Sequence, residues 1–313
     1  MRRRFGFFLD LKMHLLAKAA IAVGGYAAWL GLRLLVLKRA TRRCATVGPR
    51  WLARACADGA ARFARAVGVR VASIGGDGHA GVDTSRPFMY VWHPHGFVAY
   101  TPSMILGGMA VRGLPHGREW FGTCAPLLFN LPVLGEHFTL TNARPVDRRS
   151  LEAMLSRGGS VAIQPGGVKE QAATRHDQEQ AFFPKKLGFV RLAIKHGTPL
   201  VPMYLFGENQ LYRRVDGFEW LTRLIKKATG MTLPIVTAKW GLPQAGLLPI
   251  ATDVHVRYGR PVDVGAPEPE PSDARVAALF EQYLAELQRL FAAHAAQCLP
   301  EDVAARGLRV TMI

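Results

Sequence analysis

Two histidines flank a proline in Trp92-His93-Pro94-His95-Gly96, and imidazole is the side chain whose ordinary pKa suits proton transfer near neutrality. Phe88-Met89-Tyr90-Val91-Trp92 carries no charge and is rich in β-formers, which predicts a buried strand. Pro94 and Gly96 must end it, because proline donates no ladder hydrogen bond and glycine permits a tight turn. The strand then delivers His93 and His95 to its carboxyl end, where open α/β sheets place ligands. One imidazole with a fixed aim could act there as a general base, His93 by preference. Taken alone, the tetrapeptide fits a pair of structural histidines equally well.

Two further stretches carry polar groups to predicted strand ends. Ser160 to Gln164 predicts a short central strand closed by Pro165-Gly166-Gly167, and paired glycines let backbone amides approach an oxyanion or a phosphate closely. Glu170 follows three residues on. A carboxylate there could orient a histidine and stabilise its imidazolium, or only cap a loop. Pro199 to Phe206 predicts a second buried strand, with Gly207-Glu208-Asn209 at its carboxyl end. Three strand ends would thus converge on one rim. A metal is not expected: His-x-His supplies two ligands, and no third with supporting spacing is apparent.

The elements that must position these groups predict an α/β fold, a mixed central sheet flanked by helices. Asp147 is a natural N-cap for a helix through Ser156. Thr101 to Arg112 and Phe218 to Lys227 read as helical, and Phe189 to His196 as a helix stopped by Gly197. Val254 to Tyr258 alternates like a strand. Asp273 opens an amphipathic helix whose stripe is Val276, Leu279, Phe280, Tyr283, Leu287, Leu290 and Phe291, which reads as core packing. Leu242 to Pro249 reads as an irregular apolar loop.

The whole chain has 313 residues, of which 49% are hydrophobic, so it can bury a sizeable core. Cysteines at 44, 56, 124 and 298 have no paired spacing, which argues against a disulfide framework and for a reducing compartment. Charge is uneven: residues 1–70 hold 15 Lys and Arg against only Asp10 and Asp58, out of a net +17. No nucleic-acid-binding module accompanies that charge. It brackets an apolar segment instead, Ala19 to Leu32, which makes anionic lipid the expected partner. Fourteen uncharged residues are marginal against the roughly 20 of a bilayer span, and both flanks are basic, so an anchoring segment that enters and returns on one side is expected. From Arg50 to Val67, Leu52, Cys56, Ala60, Phe63 and Val67 step by fours and threes. They predict a basic amphipathic helix, lying either at the membrane interface or on the catalytic unit. Gly75-Gly76-Asp77-Gly78 marks a loop, so residues 1–74 read as an anchoring and amphipathic region and 75–313 as the catalytic domain.

His93-Pro94-His95-Gly96, Gly166-Gly167-Val168-Lys169-Glu170 and Phe206-Gly207-Glu208-Asn209, in that order, resemble the acyl-CoA:diacylglycerol acyltransferase type 2 family, which includes monoacylglycerol and wax-ester acyltransferases. The likeness runs from about residue 88 to about residue 292. Phe129 to Glu136 and Pro145-Val146-Asp147-Arg148 resemble further family blocks, with departures at Gly135, where relatives often carry arginine, and at Leu187 after Lys186. The resemblance implies an acyl-CoA-dependent transfer to a neutral lipid hydroxyl, diacylglycerol first among acceptors. It implies acyl-CoA as co-substrate with no other cofactor, and a membrane-embedded protein of the endoplasmic reticulum with its catalytic part facing the cytosol, the lipid droplet being a second location. His93, His95 and Glu170 then become catalytic candidates. Gly96, Gly166, Gly167, Glu208 and Asn209 become substrate-binding candidates, and Arg148 a candidate for a CoA phosphate, or a solvated arginine at a helix start. Lysophospholipid acyltransferases usually place an aspartate five residues after the histidine. Here Val98 and Tyr100 stand at the two possible places. A non-catalytic lipid-droplet protein fits less well with the intact set of motifs. The acceptor and the oligomeric state stay open.

Overall fold

A computed structural model describes residues 24–42, 46–77, 86–112, 120–229, 235–241, 243–244 and 248–313. The chain divides into two compact units, Met1–Arg43 and Cys44–Ile313. In the first, a helix over 24–41 (α1) leaves Tyr26, Trp29, Leu32, Leu35 and Val36 exposed. Among the described residues no helix is long and apolar enough to cross a membrane. The expected anchoring segment is therefore seen only from residue 24 on, as helix, and its first residues, 19–23, lie outside the described residues.

The second unit opens with α2 (Arg50–Ala66) and β1 (Val69–Gly75). β1 is an edge strand of the main sheet, and α2 belongs to the same compact unit. Of the two faces left open for α2, the one packed on the unit is lined by small residues. Ala53, Ala57 and Ala64 point inward with Val67, whereas Phe63 is exposed. Small side chains allow a close helix contact: a Cβ added to Gly108 would stand only 3.7 Å from that of Ala57.

The strands follow as β2 (Met89–His93), β3 (Trp120–Cys124), β4 (Ala143–Pro145), β5 (Ser160–Ile163), β6 (Glu179–Phe183), β7 (Leu200–Phe206), β8 (Thr252–Tyr258) and β9 (Leu308–Met312). The main sheet has the order β1-β8-β7-β2-β5-β3-β4. β8 runs antiparallel to β7 and the other neighbours pair in parallel, so the sheet is mixed as expected. β6 pairs with β9 in a separate two-stranded sheet. Two-residue strands at Arg213–Arg214, Val236–Thr237 and Pro243–Gln244 form a third. The last of them cuts into the loop expected as irregular, of which residues 242 and 245–247 lie outside the described residues.

Between the strands lie a π-helical turn (Pro102–Leu106), α3 (Gly107–Arg112), α4 (Arg148–Leu155), α5 (Gly167–Ala173), α6 (Gly188–His196), α7 (Glu219–Thr229) and α8 (Asp273–Cys298). Asp147 caps α4 as expected, its carboxylate accepting from Ser150 N. Gly197, at φ +60, ends α6 in the left-handed region that suits glycine. α8 opens at Asp273 as expected, and Ser272 caps it, its hydroxyl accepting from Arg275 N.

Side chains of a strand alternate between faces, and β2 shows what that does for the site. Met89 and Val91 join the core that includes the stripe of α8, with all seven of its predicted residues buried. Phe88, Tyr90 and Trp92 join the opposite core. His93, next in the alternation, falls on the α8 side, and its ring meets Phe183 edge-on at 5.0 Å between centroids.

Candidate active site

The strand end that the sequence marked is closed over. His93 is wholly buried, and neither ring nitrogen has a hydrogen-bond partner among the described residues. Its Nδ1 stands 3.6 Å from Oε2 of Glu170, which is equally buried. That is a charge contact, longer than a hydrogen bond. Buried polar nitrogens are nearly always partnered, so an orphaned Nε2 in a dry interior calls for a reason.

Glu170 lies in the first turn of α5 and is held from two sides. Oε1 accepts from the backbone N–H of His95 at 2.7 Å, and Oε2 from that of Phe182 at 3.0 Å. Its carboxylate thus binds the loop after His93 to β6. Gly166 makes the approach possible, since a Cβ there would lie 2.1 Å from Oε2 and 2.9 Å from the Cβ of Phe182. Gly167 sits at φ +51 and donates its N–H to the side-chain oxygen of Gln164. Both glycines, expected to turn amides toward a ligand, are accounted for by the placing of Glu170 and a turn.

His95 is half-buried. Its Nδ1 is 3.0 Å from its neighbour Gly96 O, and burial holds its pKa below the ordinary imidazole value. Gly96 adopts φ +65, and a Cβ there would stand 2.9 Å from Cγ of Glu208. Glu208 in turn accepts from Thr101 N at 3.2 Å through Oε2, so it clamps the loop that carries both histidines. Burial pushes its pKa up to about 7. Asn209 turns the other way and donates to Oε2 of Glu179 at 3.0 Å.

Arg148 is not brought to this cluster. Its side chain is 80% exposed and pairs with Glu152 one turn along α4. One residue escaped sequence reasoning altogether. Glu179, at the head of β6, is wholly buried and accepts from Tyr204 Oη at 2.7 Å, from Asn209 and from Gln210 Nε2 at 3.0 Å. Burial, countered in part by these donors, leaves its pKa at about 7, with the charge of Glu170 adding to the rise. Nothing in the spacing around Glu179 marks it as inward, since its partners come from another strand and the turn that follows it. Among the described residues no group of three His, Cys, Asp or Glu side chains could hold a metal ion.

A buried histidine–carboxylate pair at the end of a parallel strand in a mixed α/β sheet suits proton transfer in a water-poor interior. The sequence model of the diacylglycerol acyltransferase family matches residues 77–304. The chain is 27% identical over 235 residues to diacylglycerol O-acyltransferase 1 of Schizosaccharomyces pombe, covering 71% of this chain and 67% of that one. It is 30% identical over 228 residues to human 2-acylglycerol O-acyltransferase 1, covering 68% and 67%. Human 2-acylglycerol O-acyltransferase 3 is 32% identical over 229 residues, covering 68% and 66%. The 1-acyl-sn-glycerophosphate acyltransferase PlsC of Thermotoga maritima superposes with a TM-score of 0.44 at 15% identity, covering 85% of this chain and 89% of that one. The chain belongs to the diacylglycerol acyltransferase family. It is an acyltransferase of lipid synthesis.

Proposed function

We propose that the protein transfers the acyl group of acyl-CoA to the free hydroxyl of diacylglycerol, making triacylglycerol, with His93 as general base. The observation that carries this reading is the contact of His93 Nδ1 with Glu170 Oε2 in a fully buried setting, which leaves Nε2 unpartnered. With its proton on Nδ1, toward the carboxylate, the imidazole presents a bare Nε2 to the acceptor. Nε2 takes the hydroxyl proton as the oxygen attacks the thioester carbonyl. The carbon–sulfur bond then breaks, and the CoA thiolate leaves with the proton returned from His93. Glu170 stabilises the transient imidazolium, and their separation shortens once the ring is charged. The N–H groups of Gly96 and Phe97, in the turn that follows His93, are the candidates to hold the oxyanion. Dryness favours a lipid acceptor over water.

Monoacylglycerol is the second reading, supported by relatives named 2-acylglycerol O-acyltransferases at identities no lower than those named for diacylglycerol. A fatty alcohol is a third acceptor with the same hydroxyl chemistry. The protein works on this reading at the cytosolic face of the endoplasmic reticulum membrane, with the lipid droplet as a second location, and its basic N-terminal unit engages anionic lipid.

Membranes containing the protein, supplied with labelled acyl-CoA and each of the three acceptors in turn, test the proposal. Diacylglycerol is expected to give the fastest transfer, and His93→Ala to lower it by about 10²-fold or more with the protein still present in membranes. Near-normal transfer in His93→Ala together with an inactive His95→Ala would move the base to His95.

A further inference from the structure

A cavity of about 440 Å³ lies between α2 and the segment Pro102–Arg112 and shares no residue with the buried histidine–carboxylate cluster. That volume falls among those of small-molecule sites, about 300 to 1,000 Å³. Its floor is apolar, with Ile105 and Leu106 from the π-helical turn and Ile74 from β1. Ile74 is 41% exposed, so its aliphatic side chain is partly uncovered. The wall on the α2 side is made of the small residues Ala57 and Ala61, which leave the space open.

The rim is charged, and its charges are not balanced. Arg112 is bonded to Asp58 and to the carbonyl of Gly108, so that pair staples the far side of the cleft. Arg62 and Arg65, one turn apart on α2, line the same cavity, and their guanidinium groups have no hydrogen-bond or ion-pair partner among the described residues. An apolar trough under two unpaired guanidinium groups matches a ligand with an anionic head and an aliphatic body, because guanidinium forks hold phosphate oxygens in pairs. Trp51 lies about three turns before Arg62 on the same helical face and is 70% exposed, which suits a face that rests among lipids. The π-helical turn adds an independent sign, since such turns recur at functional sites.

We propose that this cleft binds an anionic phospholipid, its phosphate on Arg62 and Arg65 and part of an acyl chain on Ile74, Ile105 and Leu106. CoA also carries phosphates. The lipid is favoured because the cavity shares no residue with the strand end where the thioester must react, and because the helix that carries Arg62 and Arg65 also exposes Trp51 and Phe63.

The test uses the full chain in a neutral detergent and titrates it calorimetrically with dioctanoyl phosphatidate, dioctanoyl phosphatidylcholine, inorganic phosphate and CoA. Phosphatidate is expected to bind, with inorganic phosphate and phosphatidylcholine far weaker. Arg62→Ala with Arg65→Ala should raise its Kd about tenfold or more, the cost of losing charged hydrogen bonds. Arg50→Ala with Arg54→Ala, on the same helix but outside the cavity, should leave it nearly unchanged. Ala61→Phe, which fills the trough without altering charge, should also weaken it. Equal losses in the two double variants would overturn the proposal in favour of diffuse attraction, equal binding of phosphatidylcholine would remove the charge recognition, and displacement of phosphatidate by CoA would make the cleft a site for the acyl donor.

Discussion

Both oxygens of Glu170 accept backbone N–H groups, so no isosteric replacement is neutral there. In Glu170→Gln the amide nitrogen must face either His95 N–H or Phe182 N–H, which leaves a buried donor unpaired at a cost of about 1–3 kcal/mol. The variant is expected to melt earlier and to turn over more slowly than wild type, but less slowly than His93→Ala, since the base itself remains. Rates and melting curves measured on one preparation check this, and unchanged turnover would return Glu170 to a purely structural role. Gly166→Ala is expected to be as harmful as changing Glu170, because the new Cβ would occupy the place of Oε2. Glu208 gives a prediction in pH. Its pKa is raised by burial from 4.5 to about 7, so between those values the folded state holds a proton that the unfolded state has released. Stability contributed by Glu208 is therefore full at low pH and declines as pH rises from about 4.5 toward 7. His95, with its lowered pKa, acts in the opposite sense below its ordinary value, and Glu179 in the same sense as Glu208. Glu208→Gln keeps an acceptor for Thr101 N–H and removes one titration, so as pH rises from about 4.5 to about 7 its melting temperature should lose the share of the decline that Glu208 contributes in wild type.

Among the elements, α8 was the most legible in the sequence, and it carries the largest share of one core. Its stripe repeats at the helical period with large side chains throughout, and Leu287 at its middle is wholly buried. Leu287→Ala should destabilise the second unit by about 2–5 kcal/mol, read from denaturant unfolding, while turnover per folded molecule is retained. β2, β5 and β7 were legible for a related reason: strands covered on both faces read as continuous apolar runs. α2 was found as a helix, but which of its faces packs on the unit was not legible. Its inward residues are alanines, and a scale that rewards large apolar side chains puts Leu52 and Phe63 inside, whereas close helix packing selects for smallness at Ala53 and Ala57. The pairing of β6 with β9 was not visible, because it joins residues more than a hundred positions apart. The same non-locality hid Glu179. His93 and Glu170 were legible as residue types at strand ends, and so was Glu208, though its clamp on Thr101 depends on a loop conformation that no spacing reveals.

At the scale of the molecule, the family match begins at residue 77, whereas the compact unit that contains the site begins at Cys44. α2 and β1 are therefore part of what folds around the site, and a truncation designed on the family match alone would remove an edge strand. Deleting residues 1–43 should instead leave that unit folded while weakening membrane attachment, since the apolar segment and much of the surplus charge go with it. Fractionation in high salt checks this, and full retention in the pellet would mean that the second unit holds the membrane by itself, as exposed Trp51, Phe63 and Trp220 allow. The sidedness of the first unit follows from charge and length together. α1 covers 24–41 and carries Arg33 near its middle, and the uncharged run from Ala19 to Leu32 is shorter than the roughly 20 residues of one crossing. Basic residues stand on both sides of that run, Arg2 to Arg4 before it and Lys38 to Arg43 after it, so a full span would carry one basic cluster away from the cytosol against the usual bias. The N-terminus and the strand end that carries His93 and His95 are thus expected on the same, cytosolic face, with the segment entering and returning on that side. In sealed microsomes an epitope placed before Arg2 should be digested by added protease without detergent. Protection until detergent is added would make the segment a single crossing and place the arginine cluster in the lumen.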